Sequence, residues 1–312
     1  PTVQNGAMSG PSDWTEVRVD APLGWHELVG EALSLGPCTS VVFGTTSIAA
    51  AQPPPGHEAV RTFVAAADDG PALRNDVRRR LAALAASTGA AELSALEPRF
   101  KALPREDYAT SWRKDWRPFR VGRLALLPPW RDEPPPRATD VRLTIEPGGS
   151  FGSGRHATTR TCLRVLSERI AGGERVLDAG TGSGILSVAA LLLGARSALG
   201  FDIDPGSARS ASELARGSGV AEHAYSFRTG DFGALEDHET GFDLVCANIY
   251  ADVLSAEADN LTSRLAPTGW FLFSGCRYDH RPEAVRAFED AGLLVEDERR
   301  RGRWITFVGR RA

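Results

Sequence analysis

The hydrophobic pattern of the first third of the chain predicts a small module of strands and helices. Alternating apolar and polar residues indicate strands, and apolar residues that recur every three or four positions indicate helices. The predicted elements are strands at residues 14–19, 39–43, 59–65 and 91–96 and helices at residues 25–35 and 76–86. Their order, β-α-β-β-α-β, is that of an α+β ferredoxin-like domain.

The pattern of the C-terminal half predicts a larger α/β domain. Short buried strands alternate with helices, an order that is typical of a parallel sheet covered by helices. The strands are predicted to end at Asp178 and to lie at residues 197–203, 225–228, 242–247, 270–273, 294–296 and 304–308. The apolar run at residues 185–195 has about half the length that a bilayer requires, so it is interpreted as a buried helix.

Four segments follow from these patterns. They are a disordered lead-in at residues 1–13, the ferredoxin-like domain at 14–102, a connector with the first strand of the catalytic domain at 103–135, and the α/β domain at 136–312. In the connector, tryptophans interleave with arginines, as on a platform for single-stranded nucleic acid. Because the surrounding sequence is not broadly basic, an inter-domain packing hinge is the favoured interpretation. These residues are Trp112, Arg113, Trp116, Arg117, Trp130 and Arg131.

Composition and charge exclude several classes of function. The 312 residues carry a formal charge of −4 with 42% hydrophobic and 24% charged residues, as in a soluble globular protein. Direct nucleic-acid binding through bulk charge and membrane association are therefore not expected. The four cysteines form no C-x-x-C pair, so neither zinc nor a disulfide framework is indicated and a cytoplasmic location is expected. The N-terminal module is itself acidic, which suits a basic partner.

A glycine-rich segment at residues 175–186, R-V-L-D-A-G-T-G-S-G-I-L, carries the strongest chemical signal. A strand ends at Asp178, three alternate glycines follow, and a helix starts, so backbone N–H groups can face a ligand. Ile185 occupies the position where a dinucleotide fingerprint needs its third glycine. The segment resembles motif I of class I S-adenosylmethionine (SAM) methyltransferases, although an ordinary strand-to-helix turn is the alternative. The glycines are Gly180, Gly182 and Gly184.

Other residues at predicted strand ends extend this site. Asp202 ends the second strand, where nucleotide-binding sheets place a carboxylate for ribose hydroxyls. Asp204 is predicted to cap a helix that begins near Pro205, although either acid could take either role. Asp231 and Phe232 are expected to meet the adenine, as in similar methyltransferases. Asn248 is expected at the carboxyl end of the fourth strand.

A loop rich in Gly, Ser and Thr at residues 145–159 precedes a helix and is suited to wrap a ligand. His156 lies at the entry to that helix. It either caps the loop or takes up a proton and orients the substrate, and periodicity does not separate these two roles. The cofactor-binding set is predicted to include Phe151, Gly152, Thr159 and Ile203, with Asn248 also serving as a catalytic residue.

Five ordered blocks of sequence resemble the PrmA family of bacterial methyltransferases. The blocks are W-R-P-F-R-V-G, P-P-W-R-D, I-E-P-G-G-S-F-G-S-G-R-H-A-T-T, D-A-G-T-G-S-G-I-L and A-N-I-Y-A-D-V-L. The resemblance implies a ferredoxin-like domain that docks a protein substrate, a flexible connector and a Rossmann-like catalytic domain. It also implies SAM as methyl donor, S-adenosylhomocysteine as product, and lysine ε-amines plus an N-terminal α-amine of ribosomal protein eleven of the large subunit as acceptors.

Departures from the family pattern leave alternatives for the acceptor. Residues 276–278, Cys-Arg-Tyr, replace a typically aliphatic stretch near the expected acceptor pocket, whereas the changes in the glycine-rich loop are mild. A peptide or small-molecule N-methyltransferase on the same fold is therefore the second hypothesis. The third is a non-catalytic SAM-binding module, against which intact motif I, Asp202 and Asn248 argue.

Overall fold

The computed structural model describes residues 14–34, 41–43, 53–103, 118–135, 137–145, 154 and 156–312. Among these, residues 14–103 belong to one compact unit and residues 118–312 to a second. The predicted lead-in and the first two tryptophans of the connector lie outside the described residues. The boundaries predicted at residues 102 and 135 therefore stay predictions.

The first unit is a four-stranded antiparallel sheet with two helices. Its sheet has the order β2-β3-β1-β4, so the first and third strands lie side by side at its centre. The elements are β1 (Trp14–Pro22), α1 (His26–Ser34), β2 (Val41–Phe43), β3 (His57–Ala65), α2 (Pro71–Thr88) and β4 (Arg99–Leu103). Helix α2 buries Leu73, Val77, Leu81 and Ala85, one residue per turn, against β1 and β3 residues such as Val17 and Val60. The ferredoxin-like prediction is confirmed.

The predicted fourth strand at residues 91–96 is wrong in position. Ala91–Leu93 form a 3₁₀ turn, and β4 begins only at Arg99. The segment has the apolar pattern of a strand because Leu93 of the turn is buried in the core. The N–H groups of Leu93 and Ser94 bond carbonyls three residues earlier, so they are not available to a sheet.

The second unit begins with a three-stranded sheet. It comprises β5 (Phe119–Val121), β6 (Leu124–Leu127) and β7 (Val141–Thr144), with β5 antiparallel and β7 parallel to β6. The sequence pattern predicts one strand here, at residues 122–127, and the structure shows it as β6, which begins at Leu124 after a turn at Gly122. Strands β5 and β7 were missed. Arg120 ties the sheet together, since its Nε lies 2.6 Å and its Nη2 2.7 Å from the two carboxylate oxygens of Asp140. This ion pair holds the pKa of Asp140 below its usual range.

The main sheet of the second unit has seven strands in the order β10-β9-β8-β11-β12-β14-β13. The first five of these are parallel, and β14 is antiparallel to both neighbours. The strands are β8 (Arg175–Ala179), β9 (Ser197–Asp202), β10 (Tyr225–Thr229), β11 (Phe242–Asn248), β12 (Leu265–Arg277), β13 (Leu293–Arg301) and β14 (Trp304–Arg311). The predicted Rossmann-like α/β domain is confirmed.

The helices of this unit occupy the connections between strands. They are α3 (Ala157–Arg169), α4 (Ile185–Leu192), α5 (Ser207–Gly217), α6 (Ala251–Ala256), α7 (Ala258–Arg264) and α8 (Arg281–Asp290). Chain order runs outward from β8 in both directions, to β9 on one side and to β11 on the other. Open α/β sheets bind ligands at such a switch point, beyond the carboxyl ends of the strands. No described helix is both long and apolar enough to cross a membrane.

A cluster of phenylalanines anchors α8 on the sheet. Phe288 of α8 is fully buried, and its ring centroid lies 5.3 Å from those of both Phe273 and Phe307. Phe271 stacks on Phe273 in the same cluster, with ring centroids 4.6 Å apart. The antiparallel end of the sheet is therefore fixed by aromatic packing across β12, β14 and α8.

Truncating this anchor tests the packing. We expect Phe288→Ala to lower the free energy of unfolding by about 3–5 kcal/mol, because it removes a large buried side chain and leaves a cavity. Glu289→Ala, an exposed change on the same helix, should alter it by no more than about 0.5 kcal/mol. Urea denaturation of both variants measures the difference, and a Phe288→Ala loss no greater than that of Glu289→Ala would contradict the packing.

Candidate active site

Three glycines join β8 to α4 at the switch point of the sheet. We call residues 180–184 the glycine turn. Its glycines have φ angles of +70°, +51° and +78°, all in the left-handed region. A Cβ on Gly184 would lie 2.6 Å from the Cβ of Ala211, so close packing against α5 requires glycine there. Among the residues that the structure describes, a Cβ on Gly182 would meet only an oxygen of Asp202, 4.0 Å away, so no described residue packs against the turn at this position.

Asp178 braces the turn from inside the protein. Its side chain is buried, and its Oδ2 accepts hydrogen bonds from Thr181 Oγ1 at 2.9 Å and from Ser187 Oγ at 2.7 Å. The backbone N–H of Ser187 donates to the same oxygen at 3.2 Å. Burial raises the pKa of Asp178 to about 6, although these hydrogen bonds oppose the shift. The carboxyl group therefore connects β8 to the first turn of α4, and its predicted contact with the cationic end of the ligand stays a prediction.

Asp202 holds the turn from the outside. Its Oδ2 accepts the backbone N–H of Gly182 at 2.8 Å, and its Oδ1 accepts that of Asp204 at 2.9 Å. A carboxylate offers about four lone-pair sites, so it can still accept hydroxyl groups. Asp202 is half-buried at the end of β9, and its Oδ2 lies 4.0 Å from the position that a Cβ on Gly182 would take.

The helix start predicted near Pro205 is wrong by two residues. Helix α5 begins at Ser207, and its N-terminal cap is Gly206, which has no side chain to accept a hydrogen bond. Asp204 instead accepts the N–H of Gly206 at 2.9 Å. It therefore stabilises the turn before the helix and does not cap the helix itself.

Apolar side chains accompany Asp202 at the neighbouring strand ends. Ile203 is 77% exposed, and the half-buried ring of Phe232 lies edge-on to Phe201 with centroids 4.9 Å apart. Asp231 caps the short turn of Phe232 by accepting the N–H of Gly233 at 2.8 Å. The apolar side chains of Ile203 and Phe232 can pack against a flat ring, and the neighbouring Asp202 carboxylate can accept hydroxyl groups of a sugar joined to that ring.

Asn248 lies on the other side of the glycine turn. It ends β11, which pairs with β8 through Ala247 and Ala179 and with β12 through Asn248 and Ser274. Its half-buried side chain makes no hydrogen bond within the part of the chain that the structure describes. An amide in this position can donate to or accept from a bound group.

His156 caps α3. Its Nδ1 accepts the N–H of Thr158 at 3.3 Å and lies 2.6 Å from the Oγ1 of the same residue. Because Nδ1 accepts, a neutral His156 carries its proton on Nε2. Its ring packs edge-on against Trp304, with centroids 5.3 Å apart. The capping role is confirmed, and the role in proton relay stays a prediction.

Three further residues were predicted to bind the cofactor. Thr159 is buried in the first turn of α3. Phe151 and Gly152 lie outside the described residues.

The hydrogen-bond partners of Asp178, namely Thr181 and Ser187, were not predicted from the sequence. For Ser187 the signal was a serine inside the otherwise apolar run of α4, nine residues after the motif acid.

The geometry defines a class of protein. A seven-stranded sheet with a reversed β14 between β12 and β13, a glycine turn after β8 and an acid closing β9 make the second unit a class I SAM-dependent methyltransferase. A model of the family described as "Ribosomal protein L11 methyltransferase (PrmA)" matches residues 13–312. The chain belongs to this family.

Similar proteins cover between about two thirds and nearly all of the chain. A ribosomal protein L11 methyltransferase of Pelobacter propionicus is 34% identical over 96% of this chain and 98% of its own length. That of Pelotomaculum thermopropionicum is 41% identical over 67% of each chain. A crystal structure of a ribosomal protein L11 methylase from Lactobacillus delbrueckii subsp. bulgaricus is 30% identical and has a TM-score of 0.57, covering 63% of this chain and 99% of its own.

The buried carboxyl group gives the apoprotein a specific pH dependence. The folded-state pKa of Asp178, about 6, exceeds its ordinary value of 3.8, so folding favours the neutral form. The corresponding stability is fully present below the ordinary pKa and is lost as the pH rises through about 6. We expect Asp178→Asn to gain stability relative to the wild type between pH 5 and about pH 7.5. Denaturant titrations across this range measure the difference, and a constant difference would contradict the assignment.

Proposed function

We propose that this chain transfers methyl groups from SAM to amino groups of ribosomal protein L11. The acceptors are lysine ε-amines, the N-terminal α-amine, or both, and the second product is S-adenosylhomocysteine. One observation carries the proposal: a glycine turn against which no described residue packs at Gly182 lies between the acid that ends β9 and the asparagine that ends β11, in a chain that matches the family over residues 13–312. A cytoplasmic location is part of the proposal.

The residues around the glycine turn fit the parts of SAM. Asp202 accepts the ribose hydroxyls in charge-assisted hydrogen bonds. Ile203 and Phe232 contact the adenine, and Asp231 is positioned to bind its edge. The backbone at Gly182 would accommodate the methionine portion, and Asp178 would hold its positive amine. Such a cation would lower the pKa of this carboxyl group and so favour its ionised form.

SAM would supply an electrophilic methyl group on a sulfonium: the amine nitrogen attacks the methyl carbon, the bond from that carbon to sulfur breaks, and S-adenosylhomocysteine leaves as a thioether. The protein therefore has to hold the amine in line with the methyl carbon, and this positioning can account for much of the rate enhancement. Asn248 orients the acceptor nitrogen through its side-chain amide oxygen or its backbone carbonyl.

The acceptor must be neutral before it attacks. A lysine with a pKa of about 10.4 costs roughly 4.6 kcal/mol to deprotonate at pH 7, whereas an α-amine near 7.7–8.0 costs about 1–1.4 kcal/mol. Desolvation in an apolar pocket lowers an amine pKa by several units, so a strong base is unnecessary. His156 is the candidate to pass the released proton toward solvent.

A second candidate function rests on the surface after β12. Tyr278 is 42% exposed, and the guanidinium carbon of Arg300 lies 3.9 Å from the centroid of its ring. Arg277 forms an ion pair with Asp279 nearby. This polar, aromatic surface replaces the aliphatic stretch of the family pattern and favours, as the alternative, a peptide or small-molecule amine as acceptor.

The sugar contact is tested by removing its carboxylate. We expect Asp202→Ala to weaken SAM binding by roughly tenfold, because a charge-assisted hydrogen bond is lost and the turn loses its acceptor. Asp204→Ala is the matched control at the adjacent exposed turn and should change the Kd by less than about twofold. Isothermal titration calorimetry measures both constants. An unchanged Kd for Asp202→Ala would assign this residue to the turn alone.

The reaction is tested with labelled SAM and ribosomal protein L11 from a strain that lacks the modification. We expect methyl groups on L11 amines in intact-mass and peptide spectra, and transfer to a peptide or small amine but not to L11 would favour the alternative. Asn248→Ala should abolish transfer while the Kd for SAM stays within about threefold, because the amide acts on the acceptor. A parallel loss of SAM affinity would refute that role.

A further inference from the structure

Ile249 is enclosed between two glycines that belong to different strand ends. On one side, a Cβ on Gly180 of the glycine turn would lie 2.3 Å from Ile249 Cγ2. On the other side, a Cβ on Gly275, near the end of β12, would lie 2.1 Å from the carbonyl oxygen of Ile249 and 2.8 Å from its carbonyl carbon. These separations are far inside the roughly 3.5–4.0 Å at which atoms pack without strain. We call Gly180, Ile249 and Gly275 the isoleucine seat.

The contact at Gly275 leaves little room for adjustment. The atoms that a Cβ would meet are backbone atoms of Ile249, which no rotamer change can move aside. Gly275 also has a φ of +91°, a region that side-chain-bearing residues rarely adopt. Any larger residue at this position must therefore push the chain after Asn248 away from β12.

Hydrogen bonds hold the same step of the chain. The N–H of Ile249 donates to the carbonyl of Ser274 at 3.1 Å, which continues the pairing of Asn248 with that strand. Ser274 is itself fixed, since its buried hydroxyl lies 2.7 Å from that of Thr306 on β14. The peptide that follows Asn248 is thus held from β12, while the Ile249 side chain reaches the glycine turn.

We propose that the isoleucine seat sets the position of Asn248 relative to the glycine turn, and that Ile249 and Gly275 are positioning residues for methyl transfer. This inference rests on the proposed function, because it takes Asn248 as the residue that orients the acceptor amine. The seat is the physical link between the two halves of the site: one of its glycines belongs to the turn beneath the methyl donor, and the isoleucine directly follows the acceptor residue.

The position of Asn248 relative to the glycine turn matters because methyl transfer is sensitive to geometry. An in-line displacement needs nucleophile, methyl carbon and sulfur at near-contact distance, and a misplacement of about 1 Å can cost roughly a hundredfold in rate. A displaced Asn248 should therefore lower kcat. SAM binding should be little affected by a change at Gly275, because Asp202, Ile203 and Phe232 lie on the opposite side of the glycine turn.

The test compares Gly275→Ala with Gly292→Ala. Gly292 has a φ of +77°, but a Cβ there would meet no described atom within 4 Å, so this control introduces backbone strain without a collision among the described residues. For Gly275→Ala we expect kcat for L11 methylation to fall at least about tenfold, with the Kd for SAM within about threefold of the wild type. Amide hydrogen exchange should speed up in peptides that cover residues 248–254. Gly292→Ala should retain wild-type kcat and exchange in those peptides.

A second variant, Ile249→Ala, and the hydrogen-exchange comparison cover the cases in which Gly275→Ala alone would not decide. If Gly275→Ala does not fold, Ile249→Ala removes the side chain that fills the seat and should show the same loss of kcat and the same faster exchange. Wild-type kcat and exchange in the folded variant would overturn the proposal. If the wild type binds SAM but methylates no L11, the proposed function fails, and the exchange comparison still decides whether the seat holds the Asn248 segment.

Discussion

The hydrogen bond from the Gly182 N–H to the Asp202 carboxylate, 2.8 Å long, is the interaction on which the candidate active site depends. It joins the loop after β8 to the end of β9, and the N–H groups of Gly180 and Thr181 reinforce it by donating to the carbonyl of Phe201. The turn is thereby folded over its neighbouring strand, and no described residue packs against Gly182. Without this arrangement the sheet would keep its switch point but would lose the surface that is proposed to bind the methyl donor.

Two carboxylates serve this turn in different environments. Asp178 is buried, accepts hydrogen bonds from Thr181 and Ser187, and has its pKa raised by burial, with a small further contribution from the charge of Asp202. Asp202 is half-buried and keeps acceptor capacity toward the open side. The inner acid therefore fixes the strand-to-helix geometry, and the outer acid is available for a ligand. Asp178 and Asp202 are the same type of residue, and their different degrees of burial give them different roles.

Much of the fold was predictable from the sequence, because single elements were long enough to carry a clear period. Helix α2 presents Val77 and Leu81 at helical spacing, and the central strands β8, β9 and β11 are short, largely apolar runs. The prediction failed where a short segment satisfied two patterns. Leu93 enters the core from a 3₁₀ turn and so imitated a strand residue, and β7 is only four residues long within a polar stretch.

The site residues were predictable where they stand at strand ends, since Asp178, Asp202 and Asn248 each close an apolar run. Their partners were not. The hydrogen bond from Ser187 to Asp178 depends on how the glycine turn brings the two residues together across nine positions. The place of Ile249 between Gly180 and Gly275 depends on contacts between segments far apart in sequence. Helix α5 likewise begins at Ser207 because Asp204 holds the turn before it, although the Asp-Pro sequence favoured an earlier start.

A crystal structure of the protein with S-adenosylhomocysteine tests the central claim most directly. The account predicts that the ribose hydroxyls bond to Asp202, that the methionine portion lies over Gly182, and that the sulfur faces Asn248. Ligand density at another place on the sheet, or a saturated complex in which Asp202 bonds only to Gly182 and Asp204, would contradict it.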